Sequence, residues 1–305
     1  MKTKLKIISL MLLPLVLMFF SACSDSTTDS GKTRLSPVTN LKAFSVNNTS
    51  VGLKWTKSVS ENIADFDKYE IKIKRADTTV STQYVNKGID SVIISNLSNG
   101  VIYDFIVTAK VTSNSQNYID SDPVQVRWSP AWRFTTEGTF PIQVYERTSS
   151  TGYASGLILY YFSLNVAPGP KTVSLLSADS SLIDIFVDSK GASNIALSSS
   201  HLYRPNRKIT RFSTVEYSSE TLNYPQFAPP DSATYTRFEI TIDSVQVASS
   251  KIVYYKGSNG NYGRILIKRN PTNGTLIWGT SPEQYVRLEI SYQSVPYNPY
   301  SKTSR

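Results

Sequence analysis

The stretch KYEIKIK at residues 68–74 sets Tyr69, Ile71 and Ile73 on alternate positions, with Lys68, Glu70, Lys72 and Lys74 between them. A period of two separates apolar from charged side chains only if the backbone is extended, so this stretch reads as a strand with one buried and one wet face. SVGLKWT (50–56), SVIISNL (91–97), VIYDFIVTAKV (101–111) and AWRFTT (131–136) have the same texture. It returns in GLILYYFSL (156–164), KTVSLL (171–176), SLIDIFVD (181–188), TRFEITI (236–242), KIVYYK (251–256), GRILIKR (263–269), TLIWGT (275–280) and QYVRLEISYQS (284–294). Helical periodicity is scarce throughout. The chain is therefore expected to be all-β.

Strands this short and this regularly spaced, over the first hundred residues after 36, suggest an immunoglobulin-like sandwich. PVTNL (37–41), Trp55, Tyr69 with Ile71, and the series Leu97, Gly100, Tyr103, Phe105, Val107 and Ala109 resemble a fibronectin type III domain, covering residues 36–137. The resemblance implies that Trp55 fills the core and Leu97 caps it. Gly100 would permit a turn, and Tyr103 would send its hydroxyl to upstream backbone as a tyrosine corner. EGTFP (137–141) reads as a boundary, which leaves residues 138–305 for a second antiparallel β domain. Within it, residues 198–232 read as one long Pro- and Tyr-rich loop, a length usually tied to function or motion. GSNGNYG (257–263) matches a spaced-glycine phosphate loop only on paper, because a strand pattern follows it where a helix is needed. A hairpin tip is the better reading.

The single cysteine, Cys23, sits where a greasy segment turns polar. Lys2, Lys4 and Lys6 precede the apolar run IISLMLLPLVLMFF (7–20), and Ser21 and Ala22 follow it. A basic start, a short apolar core and small residues before a cut make a secretory signal peptide over residues 1–22. The run is too short for a span of about 20 apolar residues. FSAC (20–23) resembles a bacterial lipobox, in which the cysteine thiol takes up a diacylglycerol and becomes the new N-terminus. Here Phe20 stands where that pattern prefers Leu. Ser24-Asp25 resembles the acidic export signals of surface lipoproteins. Residues 23–35, polar and rich in Ser and Thr, then form a tether. The expected address is the outer membrane or cell surface, with the membrane as partner through the lipid. Removing the leader lowers the net charge from +9 to about +6 and takes with it all three methionines. The remaining basic residues are dispersed, so a nucleic-acid partner is not expected.

The order of elements in the C-terminal half also resembles the HmuY-type haem-binding lipoproteins. The matching positions are Asp184, Gly260-Asn261-Tyr262 and Tyr292-Gln293, over about residues 140–300. That family typically holds haem iron through a pair of side chains, and such ligation needs an imidazole nitrogen or a thioether. The mature chain would carry His201 and nothing else of either kind. His201 is the candidate metal ligand, with Tyr203 for stacking and Arg204 and Arg207 for carboxylates. The alternative is that His201 is an exposed loop residue and no cofactor is required. No catalytic motif built on Ser, His or Cys occurs, and an enzyme is not expected. Catalysis by clustered Asp184, Asp188, Glu239 and Asp243 would need two of them to face each other in a cleft. Two binding functions stay open: haem or another tetrapyrrole, and a polysaccharide or protein ligand met by exposed tyrosines and Trp278.

Overall fold

The structure, a computed structural model, describes residues 31–135, 142–150, 152–164, 166–223 and 234–298. Cys23, the leader and the segment 137–141 lie outside the described residues. No α-helix occurs among the described residues, which form strands, short 3-10 turns and loops.

The N-terminal strands are β1 (Thr33–Arg34), β2 (Thr39–Asn47), β3 (Ser50–Thr56), β4 (Phe66–Arg75), β5 (Thr78–Asn86), β6 (Ser91–Ile94), β7 (Tyr103–Val111), β8 (Tyr118–Ile119) and β9 (Val124–Trp128). They make a three-stranded sheet, β2-β3-β6, facing a four-stranded one, β5-β4-β7-β9. Tyr69, Ile71 and Ile73 are fully buried between the sheets, as the alternation requires. Trp55 meets the Tyr69 ring edge-on at 5.5 Å, and Leu97 is buried beside them. Gly100 has a φ of +76°, and the Tyr103 hydroxyl accepts the amide of Ser98 at 3.0 Å. The tyrosine corner is thus in place. Three residues assigned to the tether are part of the fold: Thr33 and Arg34 pair in parallel with β8, and Leu35 is buried in the core. An apolar side chain at the end of a polar tail had somewhere to go.

The second sandwich uses β10 (Trp132–Phe134), β11 (Ile142–Tyr145), β12 (Gly156–Ser163), β13 (Val166–Val173), β14 (Ile185–Gly191), β15 (Asn194–Ser199), β16 (Arg211–Ser218), β17 (Tyr235–Arg237), β18 (Glu239–Asp243), β19 (Lys251–Lys256), β20 (Tyr262–Ile267) and β21 (Tyr285–Tyr292). One sheet runs β10-β21-β20-β19-β16-β17, with β11 also on β21, and the other runs β13-β12-β14-β15-β18. Leu157, Ile185, Leu197, Val253, Ile265 and Leu288 are among the side chains packed between them. Three expectations change here. The supposed long loop at 198–232 contains β16, whose polar-apolar mix hid its register. TLIWGT is not a strand: Leu276 and Ile277 are buried, but only Trp278 bridges, to Tyr285. Residues 132–134, read as the last strand of the first domain, pair instead with β21 of the second sheet.

That pairing makes the junction between the sandwiches continuous rather than a loose linker. Gln293 Nε2 donates to the Pro130 carbonyl at 3.0 Å, and Asn298 Nδ2 donates to the Gly100 carbonyl at 2.7 Å. Asn99 Nδ2 reaches Ser294 Oγ at 2.7 Å, and the buried Arg264 guanidinium lies 5.5 Å from the Trp128 ring. A Cβ on Gly100 would come within 2.1 Å of Val295 Cγ2, so the close approach requires glycine there. GSNGNYG is a hairpin tip between β19 and β20, with Gly260 at φ +79°. Asn261 Nδ2 donates to the Gln293 carbonyl at 3.0 Å, which ties the tip to the end of β21.

Candidate functional site

His201 lies in a 3-10 turn, Ser200–Leu202, directly after β15. Its Nδ1 is 2.7 Å from Ser199 Oγ, which also accepts the Thr210 amide at 2.8 Å. The imidazole meets the Phe238 ring edge-on at 4.7 Å, and the Arg211 guanidinium lies over the same ring at 4.7 Å. Burial and then Arg211 push the His201 pKa down, which favours the neutral ring. Nε2 is the nitrogen left for any ligand.

Tyr203, Arg204 and Arg207 gather around a different apolar centre. The Tyr203 ring sits on Phe186 at 5.7 Å, over the small cluster of Ile158, Val173, Leu175 and Ile183 on the outer face of the five-stranded sheet. The Arg207 and Arg204 guanidinium groups lie 4.9 and 5.7 Å from that ring. Arg207 is 8% exposed and donates through Nη2 to the Leu175 carbonyl at 3.0 Å. Burial, with Arg204 adding to it, pushes the Arg207 pKa down. Tyr203 and Arg207 pack against this cluster while Arg204 stays exposed beside them, and their contacts are not those of His201.

The carboxylates that sequence alone left free are each engaged. Lys190 lies between Asp188 and Glu239 at 3.2 and 2.9 Å, and Arg147 adds a second contact to Asp188 at 3.2 Å. Asp184 pairs with Lys208 at 3.1 Å and accepts the Leu159 amide at 2.9 Å. Burial pushes its pKa up, against the pull of Lys208 and that amide. Asp243 accepts the Val245 amide at 3.2 Å. Trp278 is likewise occupied: Nε1 donates to the Lys268 carbonyl at 3.0 Å, and the Arg287 guanidinium covers the ring at 4.0 Å. It ends a row of aromatic rings with Tyr285, Tyr145 and Tyr153, whose neighbouring centroids lie 4.3–6.3 Å apart, stacked at both ends and tilted by 37° between Tyr145 and Tyr285.

One cavity of about 570 Å³ opens beside the His201 corner. Its walls are Ile209, Arg211, Tyr235, Thr236, Lys256, Gly257, Ser258, Gly260 and Tyr297. None of the four residues singled out from sequence lines it, although Arg211 connects it to His201 through Phe238. Sequence reading missed Arg211, Lys256, Tyr235 and Tyr297. They come from β16, β17, β19 and the segment after β21, and only the sheet register brings them together.

Comparison with known proteins concerns the first sandwich. The family model of the fibronectin type III domain matches residues 36–127. Three solved structures are similar to this chain over about a third of its length. A computationally redesigned β-sandwich protein is 18% identical, with 32% of this chain and 90% of that chain covered and a TM-score of 0.26. Domains d3–d4 of the rat CD45 extracellular region are 17% identical, with 32% and 51% covered and a TM-score of 0.27. The fn3 domain of human collagen alpha-1(XX) is 20% identical, with 35% and 92% covered and a TM-score of 0.27. No curated protein matches the chain. Residues 36–127, with their two facing sheets, buried Trp55 and tyrosine corner, are a fibronectin type III domain.

Proposed function

We propose that this chain is a lipid-anchored binding protein of the cell envelope, without catalytic activity, that takes a small anionic ligand into the Arg211–Lys256 cavity. One observation carries it: among the described residues, two cations line the cavity and no carboxylate does. The fibronectin domain serves as a stiff spacer, because the junction hydrogen bonds join it to the binding domain without a free linker. The anchor rests on the sequence around Cys23. Replacing Cys23 by Ser should move the protein from the membrane fraction to the soluble or unprocessed pool and abolish incorporation of labelled fatty acid. Retention of both would remove the lipid from the picture.

A tetrapyrrole is one anionic ligand, and the free Nε2 of His201 next to Arg211 is what favours it. Against it, Ile209 is the one aliphatic residue of the cavity wall among the described residues, and a porphyrin needs apolar surface against its face. Haemin titration is therefore expected to give no Soret shift at micromolar protein. A shift that disappears in His201→Ala would establish the tetrapyrrole instead.

A further inference from the structure

Arg211 and Lys256 are direct cross-strand partners in the β16–β19 register, so two like charges stand opposite each other on one face of the sheet. Such pairs are unfavourable in an empty sheet. Neither makes an ion pair among the described residues. Arg211 lies over Phe238 and Lys256 lies over the Tyr262 ring at 5.3 Å, so among the described residues both cations rest on aromatic faces with no anion beside them. Lys256 in turn faces Tyr262 in the next strand pair, so the row continues as cation, cation, aromatic.

Tyr297 closes the cavity from the other side in an unusual way. Its φ is +61°, a left-handed conformation that costs a bulky residue free energy, and its side chain is 74% exposed. Burial of the ring does not repay that cost. The chain is held there by the Tyr297 amide donating to the Gly260 carbonyl at 2.9 Å, and by the ring lying on Gly260, where a Cβ would meet Tyr297 Cε1 at 2.7 Å. Strain maintained in an exposed aromatic beside a cavity points to a contact with something outside the chain. Thr236 and Ser258, both exposed on the same wall, make no hydrogen bond to the protein among the described residues.

We propose that the cavity binds an acidic sugar unit of a glycan. The carboxylate or sulfate bridges Arg211 and Lys256, the C–H face of the sugar ring lies on Tyr297, and ring hydroxyls reach Thr236 and Ser258. A wall with two cations, an open ring face, two free hydroxyls and a single aliphatic side chain matches an anionic, hydroxylated ligand better than a flat apolar one. The inference rests on the cavity being the binding site for an anion, and the two can fail separately.

The test is calorimetric titration of the detergent-solubilised full chain with tetragalacturonate, a sulfated heparin tetrasaccharide, the carboxyl-reduced neutral tetrasaccharide, inorganic phosphate and haemin. At least one acidic saccharide is expected to bind, more weakly as salt rises, with the neutral one and phosphate far weaker. Arg211→Gln, Lys256→Gln and Tyr297→Ala should each weaken it about tenfold or more, with circular-dichroism melting showing that the variants are folded. Preference between the carboxylated and sulfated arms identifies the acid group. Equal binding of the neutral saccharide, or acidic binding indifferent to Arg211 and Tyr297, overturns the proposal. Binding of phosphate or haemin that depends on Arg211, with no acidic saccharide bound, overturns the sugar and keeps the anion cavity. If no anion depends on Arg211 or Lys256, both fall.

Discussion

At the scale of single residues, side-chain hydroxyls and amides decide where backbone groups find partners. Tyr103 fills the first core with its ring while its hydroxyl satisfies the Ser98 amide, so one residue closes both the core and the turn at Gly100. Tyr103→Phe keeps the ring and leaves that amide without its partner, which should cost about 1–2 kcal/mol. Urea unfolding of wild type and variant measures it, and equal midpoints would mean that water replaces the hydroxyl at no cost. Gln293 works the same way between domains. Its backbone joins the hairpin tip, and its side chain reaches Pro130. Trp55, Leu97, Gly100 and Tyr103 were all legible in the sequence, because each acts within its own stretch or on a core that any such sandwich has. Tyr297 was not, because its strain and exposure depend on Gly260, far from it in sequence.

At the scale of elements, β16 shows what pattern reading loses. RFSTVEYS carries Arg, Ser, Thr and Glu among its apolar residues, so it looks like loop until β19 and β17 flank it. Glu216 then makes sense as a cross-strand tie. It contacts Arg237 of β17 and lies 2.9 Å from Lys251 of β19. Burial pushes the Glu216 pKa up, but Lys251 and Arg237 outweigh it and hold the carboxyl below its ordinary range. A carboxyl depressed in the folded state stabilises the fold above its unfolded value of about 4.3, and the contribution is lost as pH falls through the folded value. Glu216→Gln should therefore be less stable than wild type at pH 7. The gap should close on acidification below about pH 4, read by urea midpoints. A gap constant with pH would mean that packing, not charge, carries the difference. On the same strand, Arg211→Gln removes the like-charge pair with Lys256 and should stabilise the ligand-free protein by up to about 0.5 kcal/mol.

At the scale of the whole molecule, the two sandwiches are joined by β10 on β21 and by polar contacts from the segment after β21. One cooperative thermal transition is the expected outcome for the intact chain. Removing the ties with Gln293→Ala and Asn298→Ala should split it into two calorimetric peaks. Small-angle scattering should then report a broader spread of shapes. A single unchanged peak would place the coupling in β10 alone.

The sequence by itself determined the class and the first domain. Alternation with a period of two is a local property that survives any arrangement of strands, and the fibronectin motifs act over a few residues. The lipobox-like stretch around Cys23, on which the proposed anchor rests, is local in the same sense. Only the tertiary structure decided which side chains share a site. It separated His201 from Tyr203, Arg204 and Arg207, engaged the four carboxylates, and set Arg211 opposite Lys256. Register and sheet order control those neighbours, and a shift of one residue would move each side chain to the other face. No single stretch of sequence carries that information.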